Sequence, residues 1–364
     1  MKQTHFKWIN TGAAACCVAF LLAGCADGTA PARETIQKPD KTITVVEPGQ
    51  STDTKVAVSQ IAQIDRTRGI SFITEEQLVI VKRNENEQKI AVEGEMMFPN
   101  NLYVHDLATK QEEALHEQPA HQGFAKPSPD GKYLFYKLNN EESAHGYMMN
   151  LETRESVELG SDVIDTMTGM WMDDTHVLFM TIEGKVIKAS VDGTLETILS
   201  SDRRIFTAVP GEGGIYYVVN EVLYFLPDGS KQAEKLATDV VWVIPSPERK
   251  QLALVKRTSN TTRTLMITDA KGNEPIELGS ATQVFGTSWS PDGKKLAYSL
   301  TSEGTDGDNG VFVADAISGD TVPIKLDVQY LSDDLGWSPS GKKIVAATYS
   351  QEQNDFITFV ITLK

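Results

Sequence analysis

Cysteine is nearly absent: the 364-residue chain has three, and Cys16 and Cys17 lie in an apolar N-terminal stretch, so Cys25 is the only thiol beyond residue 24. That excludes a disulfide framework and a cysteine-built metal site. Basic clusters are missing too. The formal net charge is -16, or -18 once Lys2 and Lys7 are removed with the N-terminal stretch, and nucleic-acid binding requires stripes of Lys and Arg that neutralise phosphate. Beyond the N-terminus no apolar run approaches the roughly 18 residues that mark a membrane-spanning helix. No long segment has helical periodicity. Catalytic signatures are lacking as well: no G-x-S-x-G elbow, no H-E-x-x-H and no Gly-rich phosphate loop ahead of a helix.

What the N-terminus does contain is an address. Lys2 and Lys7 precede an apolar stretch from Ala13 to Leu22, which ends in Leu22-Ala23-Gly24-Cys25. Positive, then apolar, then small is the order of an export signal. The closing LAGC resembles the bacterial lipoprotein signal, in which the cysteine is lipidated on sulfur and becomes the first residue after cleavage. That resemblance implies a signal over residues 1–24, an extracytoplasmic protein and membrane anchoring through Cys25. Several acyl chains hold a protein stably where one does so only marginally. Residues 26–54 are rich in Pro, Thr, Asp and Lys, as expected of a flexible tether from the lipidated cysteine to a body over residues 55–364. Within the tether only Thr42 to Glu47 alternates as a strand does.

The body repeats itself. WSPDGKKLAYS begins at Trp289 and WSPSGKKIVAAT at Trp337, with looser copies in PSPDGKYLFY from Pro127, PSPERKQLALV from Pro245 and WMDDTHVLFM from Trp171. Each puts a tight turn of Ser, Pro, Asp and Gly ahead of a short apolar, β-branched run, the mark of a hairpin. A second phrase follows each copy, as in LMITDAKGNEPIEL from Leu265 and VFVADAISGDTVPIKL from Val311: strand, turn, then a polar strand closing on an apolar residue. Polar outer strands protect a sheet edge from pairing with other molecules.

The first apolar residues after the turns are Leu78, Leu134, Val177, Ile215, Leu252, Leu296 and Ile344, spaced by 56, 43, 38, 37, 44 and 48 residues. Units of about 40 residues with four strands each are the signature of propeller blades. The sequence therefore predicts an all-β fold, a seven-bladed β-propeller of four-stranded antiparallel blades, with six blades as the alternative. The last unit stops at Lys364 with no fourth strand. Counting back from Leu78 by the spacing of the other units lands on Val58 to Ile61, so an N-terminal strand is expected to complete the final blade beside FITFVITLK from Phe356. Trp171, Trp289 and Trp337 are expected to be core residues between blades.

The SPDGK-type repeat, at Ser128 to Lys132, Ser290 to Lys294 and Ser338 to Lys342, resembles that of the TolB-like (WD40-like) β-propeller family of bacterial envelope proteins. The resemblance covers most of residues 55–364 and implies a propeller used for protein contacts in the envelope. The family's namesake carries an α/β domain ahead of its propeller, for which residues 26–54 are too short, so its specific role is not carried over. The expected function is that of a non-enzymatic, lipid-anchored interaction or ligand-binding module, with an envelope protein or small ligand as partner and no cofactor. The alternatives are a propeller hydrolase or lyase acting on a cell-surface polymer, and a solute-capturing lipoprotein that serves a transporter.

Candidate site residues are few. Met96, Met97 and Phe98 lie on the long connection from Asn84 to Asn101 and suggest a partner surface, folding back over the ring being the alternative. Arg203 and Arg204, with Asp333 and Asp334, fall just before innermost strands, where they can face the channel mouth. Neighbours on a strand point to opposite faces, which argues against a catalytic dyad at Asp333 and Asp334. His116, His121 and His145 flank the second unit but lack the acids that would define a metal site. Asp306, Asp308 and Asn309 offer oxygen ligands at a spacing that fails the calcium-loop pattern.

Overall fold

The computed structural model describes residues 56–364 apart from 93, 141, 142, 167, 304–308, 327–330 and 332, and two strands ahead of them, Arg33–Lys38 and Lys41–Val46. These two strands pair antiparallel in a unit separate from the body, which begins at Lys55. The second of them matches the strand expected near Thr42; the first was not anticipated.

Every regular element among the described residues is a strand. In the body they form seven four-stranded antiparallel sheets plus one small two-stranded sheet. Blade 1 covers residues 68–116, blade 2 121–158, blade 3 170–200, blade 4 205–238, blade 5 240–281 and blade 6 283–324. Blade 7 takes three strands from residues 336–363 and its fourth from Val58–Asp65. The seven-blade expectation holds, and six is excluded. All seven landmark residues, from Leu78 to Ile344, lie in second strands and are at most 1% exposed.

A four-stranded sheet has two apolar faces and cannot bury either alone. Here each face is covered by the next blade, and seven buried clusters result, one per blade junction. Val81 and Leu102 of blade 1 meet Leu134 and Tyr136 of blade 2; Ala297 and Val313 of blade 6 meet Ile344 and Phe359 of blade 7. The ring closes where Leu78 and Ile80 of blade 1 pack on Val345 and Val360 of blade 7. First strands of neighbouring blades lie against one another, including those of blades 7 and 1, so they line the axial channel.

The expected closure by the N-terminal strand is present. Val58 sits opposite Leu363, Ile61 opposite Ile361 and Asp65 opposite Ile357. Beyond the ladder, the Lys364 N–H donates to the Ala57 carbonyl at 2.8 Å. Thr358 Oγ1 ties the junction to blade 1, accepting the Gly69 N–H at 2.7 Å and donating to the Thr67 carbonyl at 2.8 Å.

The repeat motif is explained by one bond. Its Ser hydroxyl accepts the N–H that opens the second strand: Ser128 from Tyr133 at 3.0 Å, Ser290 from Lys295 at 2.9 Å, Ser338 from Lys343 at 3.1 Å and Ser246 from Gln251 at 3.1 Å. Any short oxygen-bearing side chain can do this. Thr74 does so for Gln77 and the Asp173 carboxylate for His176, which is why the faint copies near Glu75 and Asp173 still fold as blades. Blade 4 dispenses with the motif and turns tightly between Gly211 and Gly214. Arg249 of blade 5 reaches past this short turn, donating to the Met172 carbonyl of blade 3 at 2.5 Å.

The three repeat tryptophans are core, as expected, and each also reaches back to the preceding blade. Trp171 Nε1–H donates to Lys126 O at 2.9 Å, Trp289 to Ile244 O at 3.1 Å and Trp337 to Ser288 O at 3.0 Å. Trp289→Phe keeps most of the apolar body but leaves a largely buried carbonyl without its donor. The expected cost is about 2 kcal/mol, read as a lower urea midpoint with an unchanged slope.

Candidate functional site

Antiparallel connectivity sorts the loops onto two mouths of the ring. Turns joining first to second strands share one mouth with those joining third to fourth. Second-to-third loops and the links between blades share the other. The turn mouth is tightly nested: the Glu75 carboxylate of blade 1 accepts the Ser340 N–H of blade 7 at 2.5 Å, and the Glu75 carbonyl accepts from Lys343 Nζ at 2.7 Å. The chain enters and leaves the ring at this same mouth, because Val58 starts the closing strand beside Leu363, whose N–H donates to Lys342 O at 2.8 Å.

Met96, Met97, Phe98, Arg203, Arg204, Asp333 and Asp334 all belong to connections on the opposite, loop mouth. The sequence nominated them separately; topology brings them to one side. Ile90–Val92 and Glu95–Met97 form a two-stranded hairpin inserted between the second and third strands of blade 1. Met96 is 59% exposed and Met97 39%, so the hairpin does not fold its methionines onto the ring. Phe98 is half-buried, with Lys89 Nζ 4.9 Å from its ring centroid.

Asp333 and Asp334 point to different partners. Asp333 accepts two bonds from Arg68, Nε and Nη2 each at 2.7 Å, bridging blades 7 and 1. Asp334 takes Lys126 Nζ of blade 2 at 3.1 Å. Burial alone would lower the Arg68 guanidinium; its bonds to Asp333 and the Asp333 and Asp334 charges hold it above its ordinary range. These four groups clamp blades 1, 2 and 7 together, and neither carboxylate stands free as an acid or base.

The histidines do not converge. The His116 ring lies 6.0 Å from that of Tyr136, His121 Nδ1 accepts the Asn100 N–H at 3.0 Å, and His145 Nδ1 is 3.7 Å from Glu158. Among the described residues no three His, Cys, Asp or Glu side chains form a metal-binding group. Asp306 and Asp308 lie outside the described residues, as does Cys25; Asn309 Oδ1 accepts the Ser302 N–H at 2.6 Å.

Arg203 and Arg204 border an open recess of ≈ 590 Å³ between blades 3 and 4, together with Asp165, Thr181, Ile182, Glu183 and Ser201. Gly184 also lines it, at φ +85°, where a Cβ would stand 2.7 Å from Ser201 O.

One unusual residue escaped sequence reasoning. Lys137, in the second strand of blade 2, is 0% exposed. Its Nζ donates to Asp165 O at 2.6 Å and to Thr168 O, and lies 4.1 Å from the Phe124 ring centroid. Burial lowers it to about 7. A signal was there: three residues beyond each landmark stand Val81, Lys137, Met180, Val218, Val255, Ser299 and Ala347, one charge in an otherwise uncharged column.

No protein-family model matches the chain, and no curated protein matches it. Solved structures do. An oligogalacturonate lyase in complex with manganese aligns at TM-score 0.59 and 14% identity over 92% of this chain and 96% of that one. A chain of the mitotic checkpoint complex aligns at 0.57 and 13% identity, covering 87% and 96%. TolB from Acinetobacter baumannii gives 0.47 and 15%, covering 80% and 65%. At such identities the first two likenesses establish the fold: this chain is similar to other β-propellers.

Proposed function

We propose that the protein is a lipid-anchored, extracytoplasmic β-propeller of the bacterial envelope that acts by docking a partner on its loop mouth rather than by catalysis. The observation that carries this is the blade 1 hairpin, which presents Met96 and Met97 to solvent. Exposed methionines make adaptable apolar contacts, and a monomer gains nothing by exposing them. The LAGC signal ending at Cys25 supports the anchor, and the SPDGK repeat supports the kinship with TolB-like propellers. The closing strand starts at the turn mouth, the end of the ring opposite the loop mouth. The channel carboxylates, each held by a cation of another blade, fit a mechanical role.

Crosslinking in intact cells followed by pull-down tests this. Wild type is expected to capture a discrete envelope protein; Met96→Glu/Met97→Glu loses it with unchanged thermal stability, and Cys25→Ser reduces it by removing the anchor. Capture that is indifferent to the methionines refutes the hairpin as the docking element. The rival, a propeller that cleaves cell-surface polymer, predicts turnover of polysaccharide by purified protein; none is expected.

A further inference from the structure

The recess between blades 3 and 4 carries a second binding reading, independent of the hairpin. Arg203 and Arg204 stand side by side at its edge in a chain of strongly negative charge. Among the described residues neither is ion-paired with a carboxylate. Of the acids that border the recess, Glu183 is held at 3.2 Å by Lys185, which also binds Asp162 at 2.9 Å. The Arg204 guanidinium lies over the Phe206 ring, 5.4 Å from its centroid, and stacking of this kind places a guanidinium while leaving its edge donors open.

Two exposed apolar side chains accompany the cations: Ile182 lines the recess, and Phe206, under the Arg204 guanidinium and next to the lining residue Ile205, stands at its edge. Ile182 is 60% exposed and Phe206 52%. Phe206 is the extra residue of a bulge between Ile205 and Thr207 in the first strand of blade 4, and a bulge re-aims a side chain. Corresponding bulges in blades 1, 2 and 5 carry Ile70, Gly123 and Val241. Only blade 4 presents an exposed aromatic ring there. The recess falls within the size range of small-ligand pockets.

The charges around it narrow the ligand. Asp165, Glu183 and Asp202 also border the recess, so a polyanion that brought one carboxylate to the arginines would set its next charges against these acids. A ligand with a single carboxylate and an adjacent bulky apolar group meets no such opposition. We infer that this recess binds the free C-terminal carboxylate of a peptide ending in an apolar residue, with Arg203 and Arg204 donating to the carboxylate and Ile182 and Phe206 covering the last side chain.

Fluorescence anisotropy on the full chain, using short dye-labelled peptides of neutral sequence ending in Leu or Phe, tests this. Free-acid peptides are expected to bind saturably. The C-terminal amides should bind at least roughly tenfold more weakly, since a charge-assisted pair is lost. Arg203→Ala, Arg204→Ala and Phe206→Ser should each weaken the free acid similarly without lowering thermal stability, while Met96→Glu/Met97→Glu binds it normally. Equal binding of acid and amide, no saturation up to about 1 mM, or tighter binding of an oligouronate than of the peptides overturns the assignment. Any of these leaves the hairpin reading standing.

Discussion

A chain starting at Thr67, without the strand Val58–Asp65, is expected to fail to form a stable ring. The loss removes the fourth strand of blade 7 and exposes the whole edge of Asp355–Leu363. A ladder running from Val58 to Asp65 contributes about 1 kcal/mol net per hydrogen bond. With the apolar contacts of Val56 and Val58 in the blade 6–7 cluster, the total is on the order of the 5–15 kcal/mol that stabilises a typical domain. An unpaired edge nine residues long also invites association. Size-exclusion chromatography should show aggregates, and urea titration a lost or greatly lowered midpoint. The decisive comparison is a circular permutant that begins at Thr67 and carries residues 56–65 after Lys364 through a short linker. Lys364 already bonds to Ala57, so the permutant should regain wild-type stability. Equal stability of truncated and intact chains would refute closure by the N-terminal strand.

The second large effect is a pH dependence centred on Lys137. In the unfolded chain this ammonium titrates at its ordinary 10.5; in the folded chain burial lowers it to about 7. Between those values the unfolded chain holds a proton that the folded chain has released, so stability rises with pH through that window and is lowest at and below pH 7. The span corresponds to about 5 kcal/mol. Lys137→Met, which puts there the residue that blade 3 has as Met180, abolishes this contribution. At pH 6 the variant is expected to be more stable than wild type, because no ammonium is buried. At pH 9.5 it is expected to be less stable, because Asp165 O and Thr168 O lose their donor. Urea midpoints at the two pH values check this: the wild-type and variant curves should cross.

The blades were legible because their physics is local and repeated. A side-chain oxygen capping a strand start, a glycine or polar residue in the turn and an apolar run leave a trace in every copy, and Leu78 to Ile344 could be placed by counting. The faint copies were harder to read because the bond tolerates Thr74 or Asp173 in place of serine. The apolar residue near the end of each outer strand was visible, but its reason was not. Leu115, Leu236 and Leu278 are bulge residues, and the bulge is what turns them toward the core. The site was less legible. Met96, Met97, Arg203 and Asp333 were nominated by loop position, yet their neighbours come from other blades: Arg68 for Asp333, Lys126 for Asp334 and Phe206 for the Arg204 stack.

The sequence by itself determined the number of blades, the strand order within each and the closure by Val58–Asp65, since hairpin pairing follows from turn chemistry and apolar period over short separations. Only the tertiary structure decided which charges are tied and which remain open, which methionines stay in water and that Lys137 is enclosed. Those properties depend on how far one blade stands from the next, a distance set by packing across residues remote in the chain and carried by no local pattern.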